Sequence, residues 1–229
     1  MISVRQKVAL QFVVSNLALI ANFVLSILLA RLLTPQEIGI FSMSAVLMAV
    51  AHVFRDFGVT AFIKREKELT PDTLRNALGV LLITSWSVAA AMFFSAPYWA
   101  HFFHEAQVLL VVQVLALGFV FIPFGAIPMA ILSREMAVEK SARITAVTSV
   151  VYFGSSVGLA LAGFGAMTMA WANLVNIIVS GAMARWVVDR PLPWLPGFRQ
   201  LHDIVHFGLG NLLTALLKAA DNALPDILL

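Results

Sequence analysis

"ITAVTSVVYFGSSVGLALAGFGAMTMAWANLVNIIVSGAMA", residues 144–184, runs for 41 positions without a charged side chain. A helix needs about 20 apolar residues to cross the hydrocarbon of a bilayer, so the run is too long for one crossing. The "GFGA" at 163–166 supplies a tight turn, and the stretch reads as two helices, about 144–163 and 167–185. Outward from it the pattern repeats between charges, with helices at about 8–31, 38–63, 76–100 and 106–133. The second is read straight through Arg55 and Asp56 to Ile63. After the sixth comes a proline-rich connector, "PLPWLPGFRQLHDIVH" (191–206), whose Phe198, Leu201, Ile204 and Val205 have the spacing of a helix lying on the membrane surface. A seventh segment, 207–229, begins near Phe207 and is still running at Leu229. The expected fold is all-α: a polytopic membrane helix bundle, with a six-helix N-terminal lobe over 1–190 and a partial seventh helix.

Composition agrees with this reading. The chain is 61% hydrophobic and 12% charged, with a mean hydropathy of +0.93, whereas soluble domains hold about a quarter charged residues. The formal charge of +3 does not point to nucleic acid, because the basic residues sit in short loops and form no basic face. With no cysteine there is no disulfide, thiolate metal site or cysteine nucleophile. Arg5 and Lys7 precede an apolar run that is too long for a signal peptide and lacks a small-x-small exit, so an uncleaved first helix is expected.

Alternate loops differ sharply in charge. The N-terminus and the 2–3, 4–5 and 6–7 loops together hold thirteen Lys and Arg, and the other loops hold Arg31 alone. The positive-inside rule then places the N-terminus of this multi-pass protein in the cytoplasm.

Several polar residues fall inside the spans. Gln11, Ser15, Asn22 and Ser26 lie within about 60° of one another on the first helix, at about 100° per residue. Such a stripe is expected to face other helices or a watery cavity, because hydrocarbon satisfies no polar group. The fifth helix carries Thr145, Ser149, Tyr152 and Ser156 on one face and a small-residue seam, Gly154, Gly158 and Ala162, on the other. The sixth adds Asn173, Asn176 and Ser180. Pro123 and Pro128 in "FIPFGAIP" are expected to break the ladder of the fourth and kink it. Arg55 and Asp56, about 10 Å inside the end of the second helix, suit either a functional role or a local ion pair and cap. Lys218, Asp221 and Asp226 in the seventh segment each cost about 2.5–3.5 kcal/mol near a membrane centre, so that segment requires polar partners.

Two motifs imitate other chemistry. "DFG" (56–58) stands without a glycine-rich loop or "HRD", and a kinase site does not form at a membrane helix end. "HFFHE" (101–105) could space His101, His104 and Glu105 for a metal, but its place at a helix end favours an interfacial aromatic belt. No catalytic triad, phosphate loop or carboxylate pair is present, so neither an enzyme nor a cofactor is expected.

Three stretches, "ARLLTPQEIGIFSMSAVLMAV" (30–50), "DFGVTAFIKREKEL" (56–69) and "AIPMAILSREMAVEKSARI" (126–144), resemble the polysaccharide biosynthesis proteins that export O-antigen and teichoic-acid precursors. These belong to the multidrug/oligosaccharidyl-lipid/polysaccharide flippase superfamily. "FGLGNLLTALLKAADNALPDIL" (207–228) is similar to the start of that family's seventh helix. The resemblance implies two six-helix lobes around a cavity that opens alternately to either side. It also implies a polyprenyl-pyrophosphate-linked oligosaccharide as substrate, met by a cationic and polar lining with a greasy flank. Gln11, Asn22, Arg31, Arg55, Asp56, Asn176, Lys218, Asp221 and Asn222 are the candidate cavity residues. Polysaccharide polymerases and glycosyltransferases are the implied partners. The family's second lobe is absent beyond the start of its first helix, so either the chain is truncated or two copies associate. The alternatives are a cation-coupled drug exporter, disfavoured by the lack of an acid from Val8 to Ala30, and a non-transporting scaffold.

Overall fold

The structure, a computed structural model, describes the backbone of residues 4–56, 58–66 and 68–197, and the side chains of those from 11 onward except Asp56. Seven helices make up nearly all of it: α1 (Val4–Leu32), α2 (Pro35–Asp56), α3 (Val59–Arg65), α4 (Pro71–Phe102), α5 (Gln107–Arg134), α6 (Val138–Leu161) and α7 (Met167–Val187). All except α3 are long and apolar enough to cross a membrane, and no strand occurs among the described residues. The expected seventh segment and the surface helix lie outside the described residues.

Helix ends follow from local chemistry. Thr34 and Glu37 form a reciprocal capping box at the start of α2: the Thr34 N–H donates to Glu37 Oε2 at 2.7 Å, and the Glu37 N–H to Thr34 Oγ1 at 3.3 Å. Thr70 caps α4 by accepting from the Thr73 N–H at 3.1 Å, with Pro71 in the first turn. Between α6 and α7, Gly163 and Gly165 take φ values of +80° and +55°. Only glycine adopts these freely, which is why "GFGA" turns the chain.

The second span departs from the sequence reading. Instead of one helix over 38–63, α2 stops at Asp56 and α3 begins at Val59, with Gly58 at φ +74°. A left-handed residue ends the α-helical ladder and redirects the chain. The break lies within the bundle, where freed backbone groups find no water. The Thr84 hydroxyl of α4 meets the Arg55 carbonyl at 3.0 Å, and the same proton is shared with Val80 O of its own helix. At the far end of α3, Arg134 Nη1 donates to Ile63 O at 3.0 Å. By contrast, α5 is one continuous helix through Pro123 and Pro128, both buried.

Helix α5 is the hub, packed most extensively on α4 and α7 and also on α2 and α3. Helix α1 packs chiefly on α6 and far less on α2, its neighbour in sequence, which contributes Ile38 to the edge of the seam. It lies along α6 and runs in the same direction, with Leu25, Leu29 and Leu33 set against Ala160 and Tyr152. Two larger cores fill the rest. One gathers Val59, Ile63, Leu78, Ile131 and Ile144 at one end of the bundle. The other gathers Ile40, Met92, Val111, Leu115, Phe119 and Ala170 toward the opposite end. The close approach that small residues permit falls between α5 and α7, where a Cβ on Gly125 would lie 2.8 Å from Gly181 Cα. The seam expected on α6 is not used among the described residues: Gly154, Gly158 and Ala162 are exposed, and a Cβ on either glycine meets nothing within 4 Å.

The basic loops converge at one end. There Arg190 pairs with Glu135 at 3.1 Å, Lys140 pairs with Asp189, and the Gly197 N–H donates to Arg75 O at 2.8 Å. Arg185 holds the connector by donating to Leu192 O and Pro193 O and by stacking on Trp194, 3.9 Å from the ring centroid. At the other end Gln36 Nε2 donates to Glu105 Oε1 at 3.1 Å, and the Glu37 carboxylate rests against Gly165.

Candidate functional site

The turn at Gly58 has a consequence for side chains. With α3 turned out of line with α2, Thr60 and Lys64, one helical turn apart, join Arg55 around a cavity of about 380 Å³. Helix α5 supplies Ser133, Met129 and Ile122 to its wall, and α7 supplies Asn176, Ser180 and Ile177. Gly125 and Gly181, the pair that brings α5 and α7 together, also line it. A side chain at either glycine would push the helices apart and fill the hollow.

The chemistry of the lining is uneven. It presents a half-buried guanidinium, an exposed ammonium, three hydroxyls and a carboxamide, and none of the described lining residues is acidic. Asn176 Oδ1 is buried without a hydrogen-bond partner among the described residues. A planar guanidinium offers a fork of donors matched to phosphate oxygens, and an intramembrane site of low dielectric strengthens that attraction over its value in water. The arrangement suits a polar anion. Sharing Ile177 and Gly181 is a second hollow of about 290 Å³, lined mainly by Phe121, Phe124, Ile178 and Trp194 with Arg185 at its edge. An anionic head and an apolar tail would thus meet adjoining surfaces.

Of the residues singled out from the sequence, the structure brings Arg55 and Asn176 to this cavity. Gln11 lies elsewhere, on α1, donating to Ser15 Oγ at 3.2 Å. Asn22 and Ser26 are exposed on α1, beside the leucine seam, on a side that no described residue covers. Arg31 is exposed at the end of the bundle away from the basic loops. Asp56 ends α2, while Lys218, Asp221 and Asn222 lie outside the described residues. Thr60, Ser133 and Lys64 were not among the candidates. Lys64 reads as a topological anchor while α2 is taken as straight, and only the glycine in "DFGV" signals the turn that carries it inward. The His101 and His104 rings lie 6.1 Å apart, tilted by 32°, at the end of α4, and no metal-binding group of three occurs among the described residues.

A family model described as polysaccharide biosynthesis protein matches residues 28–229. The chain belongs to the polysaccharide biosynthesis protein family. Every side chain lining the cavity falls in the matched region, and Gln11 and Asn22 precede it. Over 153 residues this family member is 28% identical to the lipopolysaccharide biosynthesis protein WzxC of Escherichia coli (strain K12). The alignment covers 66% of this chain and 31% of that protein, so the match spans less than a third of the relative's length. No solved structure matches the chain significantly.

Proposed function

We propose that this polysaccharide biosynthesis protein moves a polyprenyl-pyrophosphate-linked oligosaccharide across the bacterial inner membrane by alternating access. Its N-terminus lies in the cytoplasm. The observation that carries the reading is the cavity of Arg55, Lys64, Asn176 and Ser180, cationic and free of described acids, inside a six-span bundle. Arg55 and Lys64 hold the pyrophosphate, Asn176 and the hydroxyls meet the first sugars, and the aromatic hollow beside Ile177 takes the start of the lipid. The exposed Asn22 and Ser26 of α1 fit a facing wall supplied from beyond the described residues. The enzymes that build and polymerise the glycan are the partners this role implies.

The test is transport. Proteoliposomes holding the chain and a polyprenyl-pyrophosphate oligosaccharide are sampled with a glycan-binding lectin added outside. Wild type should equilibrate the glycan across the bilayer. Arg55→Ala with Lys64→Ala should slow this at least tenfold, the loss of about 1.4 kcal/mol of headgroup interaction, with the thermal stability of the detergent-solubilised protein unchanged. Equal rates in wild type and double variant would remove the cavity from the path.

A further inference from the structure

His52 is a titratable side chain inside a span for which the transport reading gives no role. It stands one turn before Arg55 on α2, so the two side chains share a face at neighbouring levels. Its ring lies 4.9 Å, centroid to centroid, from Phe119 of α5, a fully buried side chain, at an interplanar angle of 45°. Helix α2 packs on α5, α4 and, less, α7. These present no acid, base or second histidine to it: α4 has none between Arg75 and His101, α5 none between Gln107 and Arg134, and α7 none between Met167 and Arg185. Among the described residues the charges near His52 are therefore Arg55, with Asp56 beyond it on the same helix, and Lys64 across the cavity. Ionisable groups at membrane depth are costly and mark functional positions.

We propose that His52 is a proton-binding site linked to the anion cavity, its charge setting the cavity's affinity for a phosphate-type anion. The inference rests on the cavity being an anion site. Neutral His52 adds no charge and leaves Arg55 and Lys64 alone to hold the anion. Protonated His52 places a third cation one turn from Arg55, beside the tilted ring of Phe119. An anion at Arg55 in turn favours the proton on His52, because linkage between two ligands is reciprocal. The sign follows: anion affinity rises as pH falls through the histidine range, about 6.5 for an unperturbed imidazole.

Sulfate is a suitable probe, since its own charge does not change over this range. Binding to the purified chain in detergent is measured by calorimetry at about pH 5.5 and about pH 8, either side of the ordinary histidine value. Wild type should bind on the order of fivefold more tightly at the lower pH, with proton uptake visible as a dependence of the heat on the buffer's ionisation enthalpy. His52→Gln and His52→Asn, both neutral and polar, should bind equally at the two values and take up no proton, as should whichever of them retains the wild-type melting temperature if one does not. Sulfate binding by wild type with no difference from the variants overturns the proton site and leaves the cavity standing. No sulfate binding at either pH overturns both.

Discussion

Arg134 and Gly125 show how much of this bundle depends on single groups. Arg134 donates to the carbonyl of the buried Ile63, in the last turn of α3. Replacing it with Met keeps the stem and removes the charged donor, and should cost about 1.5–3 kcal/mol. A lowered melting temperature in detergent checks this, with Arg134→Lys partly restoring it. Glycines divide by their surroundings. Gly125→Ala forces a Cβ against Gly181 Cα at 2.8 Å, backbone that cannot move aside, and should destabilise by about 1–3 kcal/mol. Gly154→Ala meets nothing within 4 Å and removes a flexible residue from α6, so it should be neutral or stabilising by up to about 1 kcal/mol. Melting the two variants side by side separates a packing glycine from a free one.

The pairing of α2 with α3 is the element on which the cavity depends. Gly58 at φ +74° permits the turn, and Thr84 meets the carbonyl that the turn releases. Gly58→Ala places a Cβ in the left-handed region at a cost of about 1–2 kcal/mol. The relief available to the chain is to straighten toward one long helix, which carries Thr60 and Lys64 away from Arg55. Glycan transport should therefore fall more than protein level falls, measured by lectin accessibility against the amount reconstituted. Thr84→Val keeps the shape and removes the donor to the Arg55 carbonyl, and should cost about 0.5–1.5 kcal/mol, the net value of one hydrogen bond.

For the whole molecule, the gathering of the basic loops at one end makes orientation testable. The chain has no cysteine, so any single cysteine introduced is a clean probe. Glu68→Cys and Glu139→Cys should react with a membrane-impermeant maleimide only after cells are permeabilised. Thr34→Cys and His104→Cys should react in intact cells. Labelling of Glu139→Cys from outside would invert the topology and place the basic end, with its cavity mouth at Lys64, on the other face. The loops at that end are tied together by Arg190 with Glu135 and by the Gly197 contact with Arg75.

Run length and charge along the chain were enough to read the all-α class and the six crossings, because the cost of a charge in hydrocarbon is large and is felt where that residue stands. The turn at 163–166 was legible for a similar reason, since glycine's freedom is a property of the residue. Gly58 carried the same signal, yet the apolar run on both sides of it read as one helix, and packing of Val59 and Ile63 against α4 and α5 decided otherwise. Hydropathy is indifferent to which helix lies beside which. The placing of α1 on α6, and the use of Gly125 with Gly181 in place of Gly154 with Gly158, came from shape complementarity between distant segments. Arg55 and Asn176 each stood out as polar residues in greasy surroundings, but only the tertiary structure set them around one cavity with Thr60, Lys64 and Ser180. A shared site is a relation between helices, and the polarity of each residue, taken along the chain, does not contain it.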